Sequence, residues 1–204
     1  YRRFLYLSKH REFLIAFNVT KRILENITKK NISQRIYNKA NKKLIKNQYI
    51  RKVNDKDINH YLYSRNLKLN RNHSTTLKKI IPIDHYNWWF ITKRISYVLI
   101  KNNKRILYFY HENIFSDKTY NYFLSGWFAC AKNCTIKEVL QALNWQRNKN
   151  KKVKWISFIK TTNHLSIKLS KYIGWRNMDK KNKIINILAK NFKINRNKFI
   201  FQER

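Results

Sequence analysis

Glycine and proline are scarce in this sequence, whose 204 residues include two Gly and one Pro. A chain of this length with average usage would hold about 14 Gly and about 10 Pro. Nucleotide-binding loops of the P-loop and GxGxxG types need several closely spaced glycines, because only glycine lets the backbone approach the phosphates closely. The sequence therefore excludes both types of loop.

Acidic residues are also scarce: 10 Asp and Glu stand against 46 Lys and Arg, which gives a net charge of +36. The excess is uneven, with +17 in residues 1–81, +5 in residues 82–147 and +14 in residues 148–204. A chain with this charge repels itself unless a polyanion neutralises it. Nucleic acid is the polyanion that we expect.

Cysteine and long apolar runs are few as well. Cys130 and Cys134 are too few for a disulfide framework and suit a reducing compartment, although one bridge between them stays open. They form a single C-x₃-C pair, and the six His show no ligand spacing, so we expect no metal site. The longest uncharged stretch, residues 119–131, is shorter than the roughly 20 apolar residues of a membrane helix. We therefore expect no membrane span.

Residues 1–81 have the pattern of a basic, mainly helical extension. Apolar residues recur at helical spacing over residues 3–29. A more polar helix is predicted over residues 32–50, with Lys and Arg on neighbouring turns. It can be a solvated surface helix, but at this net charge we favour contact with phosphates. Residues 64–79 keep no period and predict an extended connection.

Residues 82–204 have the pattern of an α/β domain. β-branched and aromatic runs predict strands over residues 95–101 and 105–111, joined by a turn at Asn102, Asn103 and Lys104. Thr135 and Glu138 form a capping-box pattern that begins a helix. Similar signals predict further elements: a strand at 120–130, helices at 136–146, between Asn163 and Gly174 and at about 180–191 capped by Asp179, and strands at 153–160 and 198–201.

Five residues near the C-terminus share a recognisable spacing: Asn163, Ser166, Leu169, Gly174 and Trp175. In WISFIKTTNHLSIKLSKYIGW, a predicted strand is followed by N-x-x-S-x-x-L-x-x-x-x-G-W. This pattern resembles the second conserved block of the GNAT acetyltransferase superfamily, and the resemblance extends loosely over about residues 86–202. It implies a small GNAT-like mixed sheet with flanking helices, of the α/β (α+β) class, in which the five positions are structural.

The same resemblance implies a cofactor loop from which this chain departs. The family holds the pyrophosphate of coenzyme A on backbone N–H groups of Q/R-x-x-G-x-G/A at a helix start, and the corresponding residues 131–136 contain no glycine. The tyrosine with which many members protonate the departing thiolate would lie at Ser170, and Tyr172 lies about 200° further round the helix. These departures argue against an active enzyme, so we expect no cofactor and no catalytic residue.

Charge and the degenerate motif together lead us to expect an architectural RNA-binding protein. Its composition, rich in residues with A/T-rich codons, favours a structural component of a mitochondrial ribosome in the organelle matrix. Its partners would be rRNA and neighbouring ribosomal proteins, and it would not act as an autonomous monomer. Two alternatives stay open: an N-acetyltransferase that uses acetyl-CoA, and a DNA-binding phage or nucleoid protein in a virion or bacterial cytoplasm. Charge does not separate RNA from DNA.

Two sets of residues are the candidate contacts with nucleic acid. Basic side chains outside the predicted core would neutralise phosphates: Lys29, Lys30, Arg35, Lys39, Lys42, Lys43, Lys46, Arg51, Lys52, Lys149, Lys151, Lys152, Lys180, Lys181 and Lys183. Tyrosines in basic sequence would stack on bases: Tyr37, Tyr49, Tyr61 and Tyr63.

Overall fold

The computed structural model describes residues 48–131, 134–149 and 153–204. Its strands are β1 (Gln48–Lys52), β2 (Ile95–Lys101), β3 (Lys104–Ser116), β4 (Asn121–Ala129), β5 (Val153–Lys160), β6 (Arg176–Asn177) and β7 (Phe199–Glu203). In the described residues they form one seven-stranded sheet in the order β1-β2-β3-β4-β5-β7-β6. Neighbours are antiparallel except β4 and β5, which run parallel.

Helices cover both faces of this sheet. They are α1 (Ile58–Asn66), α2 (Lys68–Arg71), α3 (Pro82–Ile91), α4 (Ile136–Lys149), α5 (His164–Tyr172) and α6 (Lys183–Phe192). Apolar residues of α4 and α5 pack on one face, whereas those of α1, α3 and α6 pack on the other. The arrangement confirms the predicted α/β (α+β) class with a small mixed sheet and flanking helices.

Alternation along β3 explains how the sheet carries a core on each face. Leu107 and Phe109 pack toward α4, and the intervening Tyr108 packs toward α1 and α3. All three side chains are fully buried. Because successive side chains of a strand point to opposite faces, a continuous apolar run such as this one suits a strand covered on both sides.

The helix and turn signals of the C-terminal part are largely confirmed. Asn102 and Asn103 form the β2–β3 turn with φ of 49° and 58°, a region that asparagine tolerates better than most residues. Asn163 accepts the backbone N–H of Ser166 and caps α5. The cap of α6 was misplaced: Asn182, not Asp179, accepts the first-turn N–H of Ile184.

The division at residue 82 does not coincide with an edge of the folded core. β1 pairs with β2 from Gln48 to Lys52, and Tyr61 of α1 is buried against Trp89 and Phe128. The last three residues of the helix predicted over 32–50 therefore begin a strand. β1 escaped prediction because QYIRK contains a single buried apolar residue, Ile50.

A buried carboxylate ties β1 to the rest of the sheet. Asp57 receives two hydrogen bonds from Arg51, at 2.6 and 2.8 Å, and one each from Arg105 Nε and the N–H of Asn54, both at 3.0 Å. Burial by itself raises the pKa of Asp57, but these hydrogen bonds lower it overall. Asp57 therefore stays ionised and holds Arg51 of β1 and Arg105 of β3.

Two absences hold for the part of the chain that the structure describes. None of its helices has the length and apolar character needed to cross a membrane. No group of three or more His, Cys, Asp or Glu side chains is arranged to hold a metal ion there.

Candidate active site

Strands β4 and β5 separate part of the way along the sheet and open a cleft. Their parallel pairing runs from Asn121 with Val153 to Leu124 with Ile156 and stops there. Beyond it lies a cavity of about 530 Å³, lined by both strands and by helices on both faces. We call it the β4–β5 cleft. A gap in mid-sheet leaves backbone groups that the sheet itself cannot pair.

The backbone of β4 faces this cleft with groups that β5 does not reach. Asn70 of α2 donates to the carbonyl oxygen of Ala129 at 2.8 Å and accepts its N–H at 3.3 Å, so its amide replaces the missing strand at that residue. Backbone groups alternate sides along a strand, so the N–H and C=O of Ser125 and Trp127 face the cleft too. The Ser125 N–H belongs to the last bridge with β5, between Leu124 and Ile156, so the backbone of Trp127 is the part that lies beyond this pairing.

The α4 end of the cleft is formed by Ala131, Cys134, Thr135, Ile136 and Val139. The capping box predicted here is present. Glu138 accepts the N–H and hydroxyl of Thr135 at 2.9 and 3.0 Å, and Lys101 neutralises it at 2.8 Å. The first N–H groups of a helix have no intrahelical partners and attract anions.

The family-motif residues border the cleft from α5 and the turn after it. Asn163, Ser166, Leu169 and Trp175 line it, as does Ser170. Gly174 ends the helix with φ of +86°, the left-handed region that glycine adopts without penalty. Four of the five motif positions therefore form one wall of the cleft, and the fifth, Gly174, ends α5.

The position at which the family resemblance places a tyrosine is occupied by a hydroxyl that is already engaged. Ser170 is buried and donates to the carbonyl oxygen of Ile167 at 2.9 Å. Tyr172 is 81 % exposed and does not line the cleft, which fits its predicted direction. Neither residue offers a phenol to the cleft.

The α1 end of the cleft lies on the opposite face and is lined by Arg65, Asn70, His73, Arg94 and Tyr110. Tyr110 crosses β4 above Gly126, where an added Cβ would overlap its hydroxyl and Cζ atoms. Arg94 lies over the Tyr110 ring, 4.0 Å from its centroid, and donates two hydrogen bonds to Glu112. Glycine at 126 therefore allows a phenol to lie across the strand beside the cleft.

Other nucleophilic or titratable groups of the described residues are poorly suited to chemistry. Burial raises the pKa of the Cys130 thiol to about 12, and burial with the charge of Glu138 raises that of Cys134 to about 11. Both thiols are therefore protonated at neutral pH. Burial, together with Lys149 and Lys52, lowers the pKa of His111 to about 4. His111 stacks on Phe123 at 5.0 Å, outside the cleft, and is part of the core.

Many of the predicted nucleic-acid contacts lie outside the described residues: Lys29, Lys30, Arg35, Tyr37, Lys39, Lys42, Lys43, Lys46, Lys151 and Lys152. The prediction that Tyr61 stacks on bases was wrong, because Tyr61 is 1 % exposed and packed among aromatic rings. Arg51 forms the ion pair with Asp57 rather than pointing freely outward.

The remaining predicted contacts lie away from the β4–β5 cleft. Tyr49 and Tyr63 are exposed, as are Lys52, Lys180 and Lys181. Lys149 lies over the rings of Tyr97 and Trp145, and Lys183 lies over Phe115. None of these residues lines the β4–β5 cleft.

Sequence reasoning missed most of the α1 end of the cleft. Arg65, Asn70 and His73 lay in the stretch predicted as an extended connection, and their proximity depends on how α1 and α2 dock on β4. Gly126 did carry a signal. A lone glycine inside a strand indicates close approach by another group, and here that group is Tyr110.

Comparisons with known proteins agree with this geometry. No protein-family model and no curated protein matches the sequence. Solved structures do match. An N-acetyltransferase from Staphylococcus aureus Mu50 is 17% identical with a TM-score of 0.53, covering 78% of this chain and 98% of its own. The GNAT domain of S. lividans PAT is 7% identical with a TM-score of 0.57, covering 77% and 89%. Aminoglycoside acetyltransferase AAC(6')-Ib in complex with coenzyme A is 10% identical with a TM-score of 0.54, covering 64% and 85%.

These neighbours correct the expected function. The prediction of a ribosomal, RNA-binding protein is wrong, because the similar structures are acetyltransferases. That prediction relied on the net charge of +36. Net charge informs on association with other molecules and not on the fold. The expected location in an organelle stays a prediction. The order of the strands, the separation of β4 from β5 and the neighbours together show that the chain has the GNAT fold.

Proposed function

We propose that this protein is an N-acetyltransferase that takes its acyl group from acetyl-coenzyme A. The observation that carries the proposal is the β4–β5 cleft, which is lined both by β4 beyond its pairing with β5 and by the N-terminus of α4. Acetyltransferases with this fold support it, one of them in complex with coenzyme A.

The residues of the cleft fit coenzyme A in two respects. The backbone groups of Trp127 match the amides of a pantetheine arm, which can pair with a strand edge as a peptide does. The N-terminus of α4 matches the pyrophosphate, because helix N-termini bind phosphate through free N–H groups and the dipole. The carboxylate of Glu138 does not prevent pyrophosphate binding there, because Lys101 neutralises its charge.

The missing glycines of residues 131–136 therefore carry less weight than the sequence suggested. A helix N-terminus supplies backbone N–H groups whatever its side chains are. Lys132 and Asn133 of this loop lie outside the described residues. The backbone N–H groups of Ile136 and Lys137 are present without any glycine.

The chemistry divides between the cofactor and the protein. Acetyl-coenzyme A would supply the acyl group as a thioester. In the net reaction, the acyl carbon gains a bond to the amine nitrogen of an acceptor and loses its bond to sulfur, and the proton lost by the amine leaves with the thiol. The protein's part is to hold both reactants in the cleft, and orientation of this kind accounts for much of enzymatic rate enhancement.

The proposal is tested by following transfer from labelled acetyl-coenzyme A to a panel of small primary amines. We expect acceptor-dependent transfer by the natural chain. Ser166→Trp should abolish it, because Ser166 lines the cleft and a large ring there would fill it. His164→Trp is the matched control, since His164 is exposed on the same helix and does not line the cleft. Transfer unaffected by Ser166→Trp would place the chemistry elsewhere, and no transfer to any amine would contradict the proposal.

A further inference from the structure

We infer that the amine acceptor carries an anionic group, a carboxylate or a phosphate, on an apolar body, and that Arg65 binds this anion. The inference rests on the proposed function, because it concerns the acceptor of the same site. The phosphates of coenzyme A would bind at the α4 end, where the helix N-terminus lies. The α1 end, on the other face of the sheet, is then left for the acceptor.

Arg65 is a cation at the cleft with no carboxylate partner among the described residues. Its guanidinium lies over the ring of Phe128, 5.2 Å from the centroid, and the side chain is half-buried. The ion pairs of the described residues involve Arg51, Arg94, Lys101 and Arg105 but not Arg65. A guanidinium stays charged at all physiological pH and presents a planar fork that matches carboxylates and phosphates.

Arg94 at the same end differs from Arg65 because it is already occupied. Both of its hydrogen bonds go to Glu112, at 3.2 and 3.3 Å, and its planar group is stacked on Tyr110. Arg94 therefore positions Tyr110. The guanidinium of Arg65 is therefore the one of the two that can bind a ligand.

The rest of the lining does not offset this positive charge. No Asp or Glu lines the cleft in the described part of the chain. Partial burial and the nearby Lys160 lower the pKa of His73, so His73 is neutral at pH 7. Like charges that meet at an interface are strongly disfavoured, so a polycationic acceptor does not fit this end.

The wall on the β5 side is apolar and aromatic. Phe158 contacts Phe192 at 5.3 Å and Phe199 at 5.6 Å between ring centroids, and all three line the cleft. Phe128 and Leu124 continue the apolar lining on β4. An acceptor with an apolar body would bury that body here while its anion meets Arg65.

The test compares acceptors that differ in the anion, each at the same concentration of free amine. With the full chain and acetyl-coenzyme A, kcat/KM is measured for phenylalanine and phenylalaninamide, and for O-phosphotyramine and tyramine. The first pair reports on a carboxylate and the second on a phosphate. We expect one anionic member to exceed its neutral partner at least tenfold, and the pair that shows the ratio identifies the anion.

Variants assign the preference to Arg65. Arg65→Gln should lower kcat/KM for the anionic acceptor by about 10- to 100-fold, as loss of a hydrogen bond to a charged group does, while the neutral acceptor changes less than about twofold. Arg65→Lys should retain part of the preference. Lys68→Gln removes a nearby exposed charge that does not line the cleft, and it should change neither rate. Melting temperatures of the variants check that each folds.

The outcomes distinguish failure of this inference from failure of the proposed function. Transfer that favours the neutral acceptors, or an anion preference that survives Arg65→Gln, would overturn this inference and leave the proposed function in place. Absence of transfer to all four acceptors, together with absence of coenzyme A binding, would overturn both.

Discussion

His111 shows how one residue can couple this fold to pH. The imidazole is buried between Phe123 and Trp155, and its Nδ1 lies 3.2 Å from Gln146 Nε2. A neutral ring satisfies this contact, because Nδ1 then accepts from the amide. Burial, Lys149 and Lys52 lower its pKa to about 4, so protonation opposes folding.

The pH dependence that follows has a defined sign. An unfolded His titrates near 6.5, so the stabilisation from keeping His111 neutral is complete above about pH 6.5 and is lost as the pH falls to about 4. The loss at pH 4 is on the order of 3 kcal/mol. His111→Phe keeps an aromatic ring but removes the titration, so its free energy of unfolding should fall less over this range. Urea unfolding at several pH values measures the difference, and parallel curves for both proteins would contradict the assignment.

Asn70 is a second residue whose role is larger than its sequence context suggests. Its amide donates to the carbonyl oxygens of Ser64 and Ala129 and accepts the N–H of Ala129. It thereby joins α1 and α2 to β4 where β5 has turned away.

Replacement of Asn70 should cost more than replacement of a neighbouring asparagine. Asn70→Ala leaves buried backbone groups unpaired, which costs about 1–3 kcal/mol. Asn72→Ala is the control, because the Asn72 side chain is exposed. Chemical denaturation of both variants measures the free energies of unfolding, and equal losses would show that the Asn70 contacts contribute nothing.

At the scale of elements, local signals in the sequence predicted most of the C-terminal part. β2, β3, α4 and β5 follow from period, turn residues and caps that act within a few residues. The sequence did not predict β1, α1 and α3. Their formation depends on packing against a sheet that is completed later in the chain, as the burial of Ile50, Tyr61 and Trp89 shows.

The candidate site was predictable only in part for the same reason. The family motif of α5 and the turn after it could be recognised because its residues share one short spacing, but it was predicted as structural and not as a wall of the cleft. The cleft itself results from where β4 and β5 cease to pair, at Leu124 and Ile156. The sequence of neither strand shows where pairing between β4 and β5 will end. The position of Arg65 depends in addition on how α1 packs against β4.

The end of α5 offers a test of an element boundary. Gly174→Val should lower the free energy of unfolding by more than about 1 kcal/mol, because a β-branched residue is strained at the φ of +86° found there. Crowding is not the cause, since a Cβ would meet nothing closer than Arg204 at 3.5 Å. Gly174→Asn should cost less, because asparagine tolerates this conformation. If both variants lose the same stability in thermal melts, backbone strain is not the explanation.

At the scale of the whole molecule, the charge of +36 has a different consequence from the one first expected. Coenzyme A carries phosphates, and a positive protein attracts such a ligand through its summed field. The dissociation constant of coenzyme A should therefore rise with salt, since the Debye length falls from about 10 Å at 0.1 M to about 3 Å at 1 M. Pantetheine, which lacks phosphates, should bind with little salt dependence, and equal salt dependence of the two ligands would contradict this account.

The central claim is that the β4–β5 cleft is a coenzyme A site, and calorimetric titration with coenzyme A tests it most directly. The natural chain and His164→Trp should each bind one equivalent. Ser166→Trp should show no heat of binding while its melting curve remains cooperative. Absence of binding by the natural chain, or undiminished binding by folded Ser166→Trp, would contradict the claim.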